Sequence, residues 1–144
     1  MSEPNNKGGN GPDEELYFAH SASLRILGAI PDLDEITRRL GVLPTSSHRR
    51  GELKGPKSKP YPHDMWCYTA SVKESEPLHV HIDALWNTFR QRKQYLLELK
   101  ENLTVDVFMG YSSNCQTAGV GLPYQSLEIF RELQSRFELS IVVA

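Results

Sequence analysis

Along this chain the spacing of apolar residues switches repeatedly between a period of two and a period near 3.6. That alternation constrains the fold class more than any single motif does. From Leu16 to Gly28 the even positions Leu16, Phe18, His20, Ala22, Leu24 and Ile26 are apolar apart from His20, with Ser21, Ser23 and Arg25 between them. This is the pattern of a strand with one buried face. Helical spacing follows at Leu33, Ile36 and Leu40, where Asp32 can cap the first turn, Glu35 stands at the capping-box position and Gly41 can stop the last turn. Met65 to Val72 alternates again, with Trp66, Tyr68, Ala70 and Val72 on one face and Met65, Cys67, Thr69 and Ser71 on the other. Large residues on both faces predict a central strand.

Pro77 opens a long second helix carrying Leu78, Ile82, Leu85, Trp86 and Phe89, with both tryptophans expected in the core. The polar run Arg90 to Gln94 predicts a bend or break near Gln91 to Lys93 before Leu96, Leu99 and Leu103 resume the stripe. Thr104–Tyr111 and Ala118–Leu122 read as strands, and the turn-rich stretch from Ser112 to Thr117 predicts that they form an antiparallel hairpin. A third helix through Leu127, Phe130, Leu133 and Phe137 and a final strand through Leu139, Ile141 and Val143 complete the order β-α-β-α-β-β-α-β. Such an order predicts an α+β fold: a mainly antiparallel or mixed five-stranded sheet with helices packed on one face.

A chain of 144 residues with 39 % apolar and 24 % charged residues suits one soluble domain and argues against global disorder. Residues 1–14 read as a flexible Gly/Asn-rich tail without a signal-peptide pattern, and residues 15–144 as the domain. No continuous apolar run reaches the roughly 18 residues a membrane span needs. Two cysteines, Cys67 and Cys115, cannot form a disulfide framework, which points to a reducing, cytoplasmic compartment. The net charge of −2 supplies no global field for nucleic acid.

Several residues invite a chemical reading. His79 and His81 resemble a metal pair, but in a helix positions i and i+2 diverge by about 200°, so first-turn structural histidines and no metal are expected. Cys115, in the expected hairpin loop, has no basic residue nearby from Gly110 to Leu122 to lower its pKa and reads as an ordinary loop cysteine. Cys67 reads as a small core or interface residue, and His20 as a satisfied core or edge histidine with acid/base work as the alternative. No paired carboxylates, nucleophile elbow or nucleotide-binding fingerprint occur, so no cofactor is expected.

The exception is the stretch from Val42 to Asp64, which holds Pro44, Pro56, Pro60 and Pro62 and has no sustained periodicity. Unstructured connections beyond about 12–15 residues are uncommon in a compact domain. From His48 to Pro60, Arg49, Arg50, Lys54, Lys57 and Lys59 face Glu52 alone, which leaves +4 there and −6 on the rest of the chain. Such segregation marks either a solvated loop or an anion-binding surface in which His48, Arg49, Arg50 and Lys54 take part. Guanidinium forks match carboxylates and phosphates.

The run Leu33 to Gly41, followed by Pro44-Thr45 and then His48-Arg49-Arg50-Gly51, resembles a bacterial family known as domain of unknown function 4279. The Trp-bearing strand Met65-Trp66-Cys67-Tyr68 and the strand ending in Gly110-Tyr111-Ser112 are similar as well. The resemblance spans roughly Leu16 to the C-terminus and implies a fold neighbourhood with no activity, cofactor or site residue to carry over. A small cytoplasmic binding or interaction protein, of an immunity or regulatory kind, is therefore the expected role, with an unknown protein or a small anionic ligand as partner. The alternative is an enzyme or ligand-binding protein acting on a small anion at residues 44–64. A pocket lined by His48, Arg49 and Trp66 would favour that second class.

Overall fold

The computed structural model describes residues 15–144, so the tail expected over residues 1–14 lies outside the described residues. The elements run β1 (Phe18–Gly28), α1 (Leu33–Leu40), β2 (Ser46–His48), β3 (Asp64–Thr69), α2 (Leu78–Phe89), α3 (Lys93–Leu99), β4 (Thr104–Ser113), α4 (Glu128–Leu133) and β5 (Phe137–Val143). Short 3₁₀ turns occupy Arg90–Arg92 and Tyr124–Leu127.

The strands form one mixed sheet in the order β2-β3-β1-β4-β5. β1 lies at its centre because its long alternating run can pair on both sides. Leu24 stands between Tyr68 of β3 and Val107 of β4, and Ile26 between Trp66 and Val105. These contacts are antiparallel, β2 joins β3 antiparallel, and β5 joins β4 parallel. Ala22, Leu24 and Ile26 are fully buried on the same cluster as Ile36, Ile82, Leu85, Phe89, Leu96 and Leu133 from the helices. Helices therefore cover one face of the sheet. On the other face Arg25 makes a two-pronged ion pair with Asp106 at 2.8 and 2.9 Å and lies over the Phe108 ring, while the Ser23 and Thr69 hydroxyls pair at 2.7 Å.

Local chemistry accounts for the element ends. Asp32 caps α1, accepting from the Asp34 N–H, and Gly41 closes the helix at φ 77°, a left-handed conformation that favours glycine. Arg90–Arg92 tightens into a 3₁₀ turn between α2 and α3, where the polar interruption predicted a break. Trp66 is fully buried, donates its Nε1–H to the Thr37 hydroxyl at 3.0 Å and meets Phe89 edge-on; Trp86 is also in the core.

The fold class matches the sequence pattern, with four local differences. Ala118–Leu122 forms no strand, because the two edges of β4 are occupied by β1 and β5 and no slot remains for a hairpin partner. The fifth strand is β2, inside the stretch expected to lack regular structure. The Trp66 strand is interior, but β1 takes the centre. The last helix stops at Leu133, where Gln134 adopts φ 53°, and Phe137 belongs to β5.

Candidate functional site

Beyond β2 the chain turns back on itself as a basic hairpin at one edge of the sheet. His48 pairs with Met65 of β3. Gly51, at φ 91°, then donates its N–H to the Tyr61 carbonyl at 2.9 Å. Tyr61 returns a bond to the Glu52 carbonyl at 3.0 Å, Leu53 bridges Pro60, and Ser58 N–H closes the tip on Gly55. The His48 ring stacks on Tyr61 with centroids 3.4 Å apart. Pro56, Pro60 and Pro62 limit the freedom of the chain within the hairpin, so less entropy opposes a fixed shape.

Asp64, the first residue of β3, anchors the base. Its carboxylate accepts the Arg50 N–H at 2.7 Å and the Ile30 N–H at 2.8 Å and lies 3.4 Å from the Arg49 guanidinium. Arg49 also donates to the Ile30 carbonyl at 2.6 Å, and its backbone N–H reaches Glu52. The N–H groups of Arg50 and Ile30, with the Arg49 charge added, hold the Asp64 carboxyl below the usual carboxylate range despite its partial desolvation.

The four residues singled out by charge thus divide in two. His48 and Arg49 belong to the frame, one by stacking and one by clamping the turn after β1. Arg50 and Lys54 are exposed, as are Lys57 and Lys59, and none of these four side chains has a carboxylate partner among the described residues. Arg50 contributes to the frame through its backbone alone. Trp66 is buried on the helix-covered face, while His48 sits in register with Met65 on the other. The arrangement is an outward-facing cationic surface.

A second polar cluster escaped the sequence reading. Glu15 accepts hydrogen bonds from the Tyr111 hydroxyl at 2.6 Å and from the Ser113 hydroxyl. His20, in register with Tyr111, stacks on its ring at 4.8 Å, and His20 Nδ1 and His81 Nε2 both lie within hydrogen-bond reach of the Glu76 carbonyl. The two hydroxyls hold the Glu15 carboxyl below its ordinary range, Glu15 raises the Tyr111 phenol, and burial pushes His81 down. The strand register creates this cluster, and register is not written in the spacing of either strand alone. Its polar contacts knit the end of the sheet together.

The remaining sequence candidates lie elsewhere in the fold. Cys115 is buried, not exposed on a loop, and its N–H donates to the Ser113 hydroxyl. Burial raises the Cys67 thiol, which disfavours its thiolate form. His79 and His81 lie on α2, and among the described residues no three His, Cys, Asp or Glu side chains are grouped to hold a metal.

The family model for a domain of unknown function, DUF4279, matches residues 15–144. The chain belongs to the DUF4279 family. No curated protein and no solved structure matches it. In this DUF4279 domain the match spans both the basic hairpin and the Glu15 cluster. Among the described residues no helix is long and apolar enough to cross a membrane.

Proposed function

We propose that this DUF4279 domain is a non-enzymatic binding protein of the cytoplasm that docks an acidic protein partner on its basic hairpin, in an immunity-type or regulatory role. The observation that carries this reading is the division of labour among the cations. Arg49 and Asp64 fix the hairpin from behind, and the exposed side chains of Arg50, Lys54, Lys57 and Lys59 stand in front of it with no carboxylate partner among the described residues. A prearranged surface loses less conformational entropy on binding than a mobile loop does. Catalysis on a small anion finds less support, because His48, Arg49 and Trp66 do not line a common pocket. Nucleic acid is disfavoured by the charge of −6 carried outside the hairpin.

The test is fluorescence anisotropy with a labelled twelve-residue poly-glutamate peptide, with inorganic phosphate and a short DNA duplex as competitors. Wild-type protein is expected to bind the peptide and to lose about tenfold in affinity as salt rises from about 0.05 to 0.3 M. The variant Arg50→Ala/Lys54→Ala/Lys57→Ala/Lys59→Ala should lose binding at an unchanged thermal midpoint. Equal affinity in variant and wild type refutes the reading. Displacement of the peptide by phosphate at a lower concentration than by unlabelled peptide would move it to small anions.

A further inference from the structure

At the edge of the sheet opposite the hairpin, β5 runs for seven residues with a neighbour on one side only among the described residues. Its sequence, Phe137-Glu138-Leu139-Ser140-Ile141-Val142-Val143, contains no proline or lysine, the residues that usually protect exposed edges. Phe137, Ile141, Val142 and Val143 are each about half exposed, at 48, 59, 53 and 53 %. β2, the other edge, has three residues and leads into the charged hairpin. One edge is thus blunted and the other left open.

The direction of the backbone groups is determined. Ala144 N–H bonds to the Ser113 carbonyl of β4, so by strand alternation Ser140 and Val142 also face β4. The N–H and C=O groups of Leu139 and Ile141 point outward. We infer that β5 pairs antiparallel with β5 of a second copy of this chain about a two-fold axis at Ser140, joining two sheets into one. In this register Leu139 faces the partner's Ile141 and Phe137 faces its Val143, and the outward-pointing groups of each pair meet as donor and acceptor. All these side chains lie on the helix-covered face, since Phe137, Leu139, Ile141 and Val143 are in register with Val107, Met109, Tyr111 and Ser113.

Charge does not oppose that partner. The only ionisable residue in the strand, Glu138, is paired to Arg136 at 2.9 Å and comes opposite Val142 of the second copy. The two Glu138 carboxylates then lie four residues apart along the strands, about 13 Å, which exceeds the screening length of about 8–10 Å near physiological salt. No like charges oppose each other. A contact seven residues long spans about 23 Å, a small patch, so dimerisation is expected to depend on concentration. The basic hairpins remain outside the contact, at the two far edges of the joined sheet.

The test is sedimentation equilibrium from about 10 µM to 1 mM on wild type, Ile141→Pro and Ile141→Lys. Proline removes an N–H that points away from β4, leaving the ladder within the molecule intact, and lysine places a charge on an already exposed position. Wild type should pass from monomer to dimer across the range. Both variants should remain monomeric, with Ile141→Lys melting within about 3 °C of wild type, since a substitution at so exposed a position changes stability little. A wild type that stays monomeric at every concentration overturns the inference, as does a dimer that Ile141→Lys leaves intact. If Ile141→Pro fails to fold, Ile141→Lys decides alone.

Discussion

Replacing Arg49 by alanine separates the frame of the hairpin from its outward surface. The guanidinium donates to the Ile30 carbonyl at 2.6 Å and pairs with Asp64 at 3.4 Å, with 42 % of the side chain exposed. A hydrogen bond from a charged donor contributes about 1.5–3 kcal/mol, and partial exposure and the long ion pair discount that to the bottom of the range and below, so the expected loss is about 1–2 kcal/mol. Asp64 keeps its two backbone N–H donors and is not orphaned, which limits the loss further. In a domain of this size that corresponds to a midpoint about 3–8 °C lower. Arg50→Ala should change stability by less than about 0.5 kcal/mol, because the bond Arg50 gives Asp64 comes from its backbone and survives truncation. Urea unfolding followed by the fluorescence of the two buried tryptophans measures both variants on one scale. Equal midpoints for Arg49→Ala and Arg50→Ala would refute the clamp.

Trp66→Ala should cost about 3–5 kcal/mol in chemical denaturation, as truncation of a fully buried aromatic does. Trp66→Phe should lose more stability than Trp86→Phe: Trp66 Nε1–H bonds Thr37, whereas Trp86 Nε1 is buried without a hydrogen-bond partner among the described residues. Gly28→Ala should destabilise by about 1–3 kcal/mol, because φ is 136° and an added Cβ would lie 2.9 Å from Leu103 Cδ2, a strained position for any L side chain. The depressed Asp64 carboxyl gives a pH signature: its stabilisation is present above the unfolded pKa of about 3.9 and is lost as pH falls through the lower folded value. Melting curves of wild type and Asp64→Asn should therefore differ at about pH 6 and draw together toward pH 2; a constant gap would contradict the shift.

Much of the architecture is local and was readable from residue spacing. α1 is an example, since its cap, apolar stripe and glycine stop all lie within ten residues, from Asp32 to Gly41. The break after Phe89 and the burial of both tryptophans are of the same kind. What failed were decisions that depend on which edges compete. Ala118–Leu122 has strand-like composition, but β5, distant in sequence, takes the edge of β4. Conversely β2 has only Ser-Ser-His to declare it, and the Met65–Cys67 edge makes it a strand. The candidate site followed the same division. Charge segregation located the basic stretch, but adjacent guanidiniums look alike in sequence. Only the return of the chain at Asp64 distinguishes the one that clamps from the one that faces out.

Arg50, Lys54, Lys57 and Lys59 are proposed to form a prearranged surface for an acidic partner. Titrating ¹⁵N-labelled protein with the poly-glutamate peptide and following each backbone amide tests it most directly. Shifts concentrated between Arg50 and Lys59 are predicted, moving smoothly to saturation, while the Gly51 and Tyr61 amides, already bonded across the hairpin, stay protected from hydrogen exchange in the unbound protein. Shifts confined to β5 or to the open face of the sheet, or rapid exchange at Gly51 and Tyr61 before peptide is added, would contradict it.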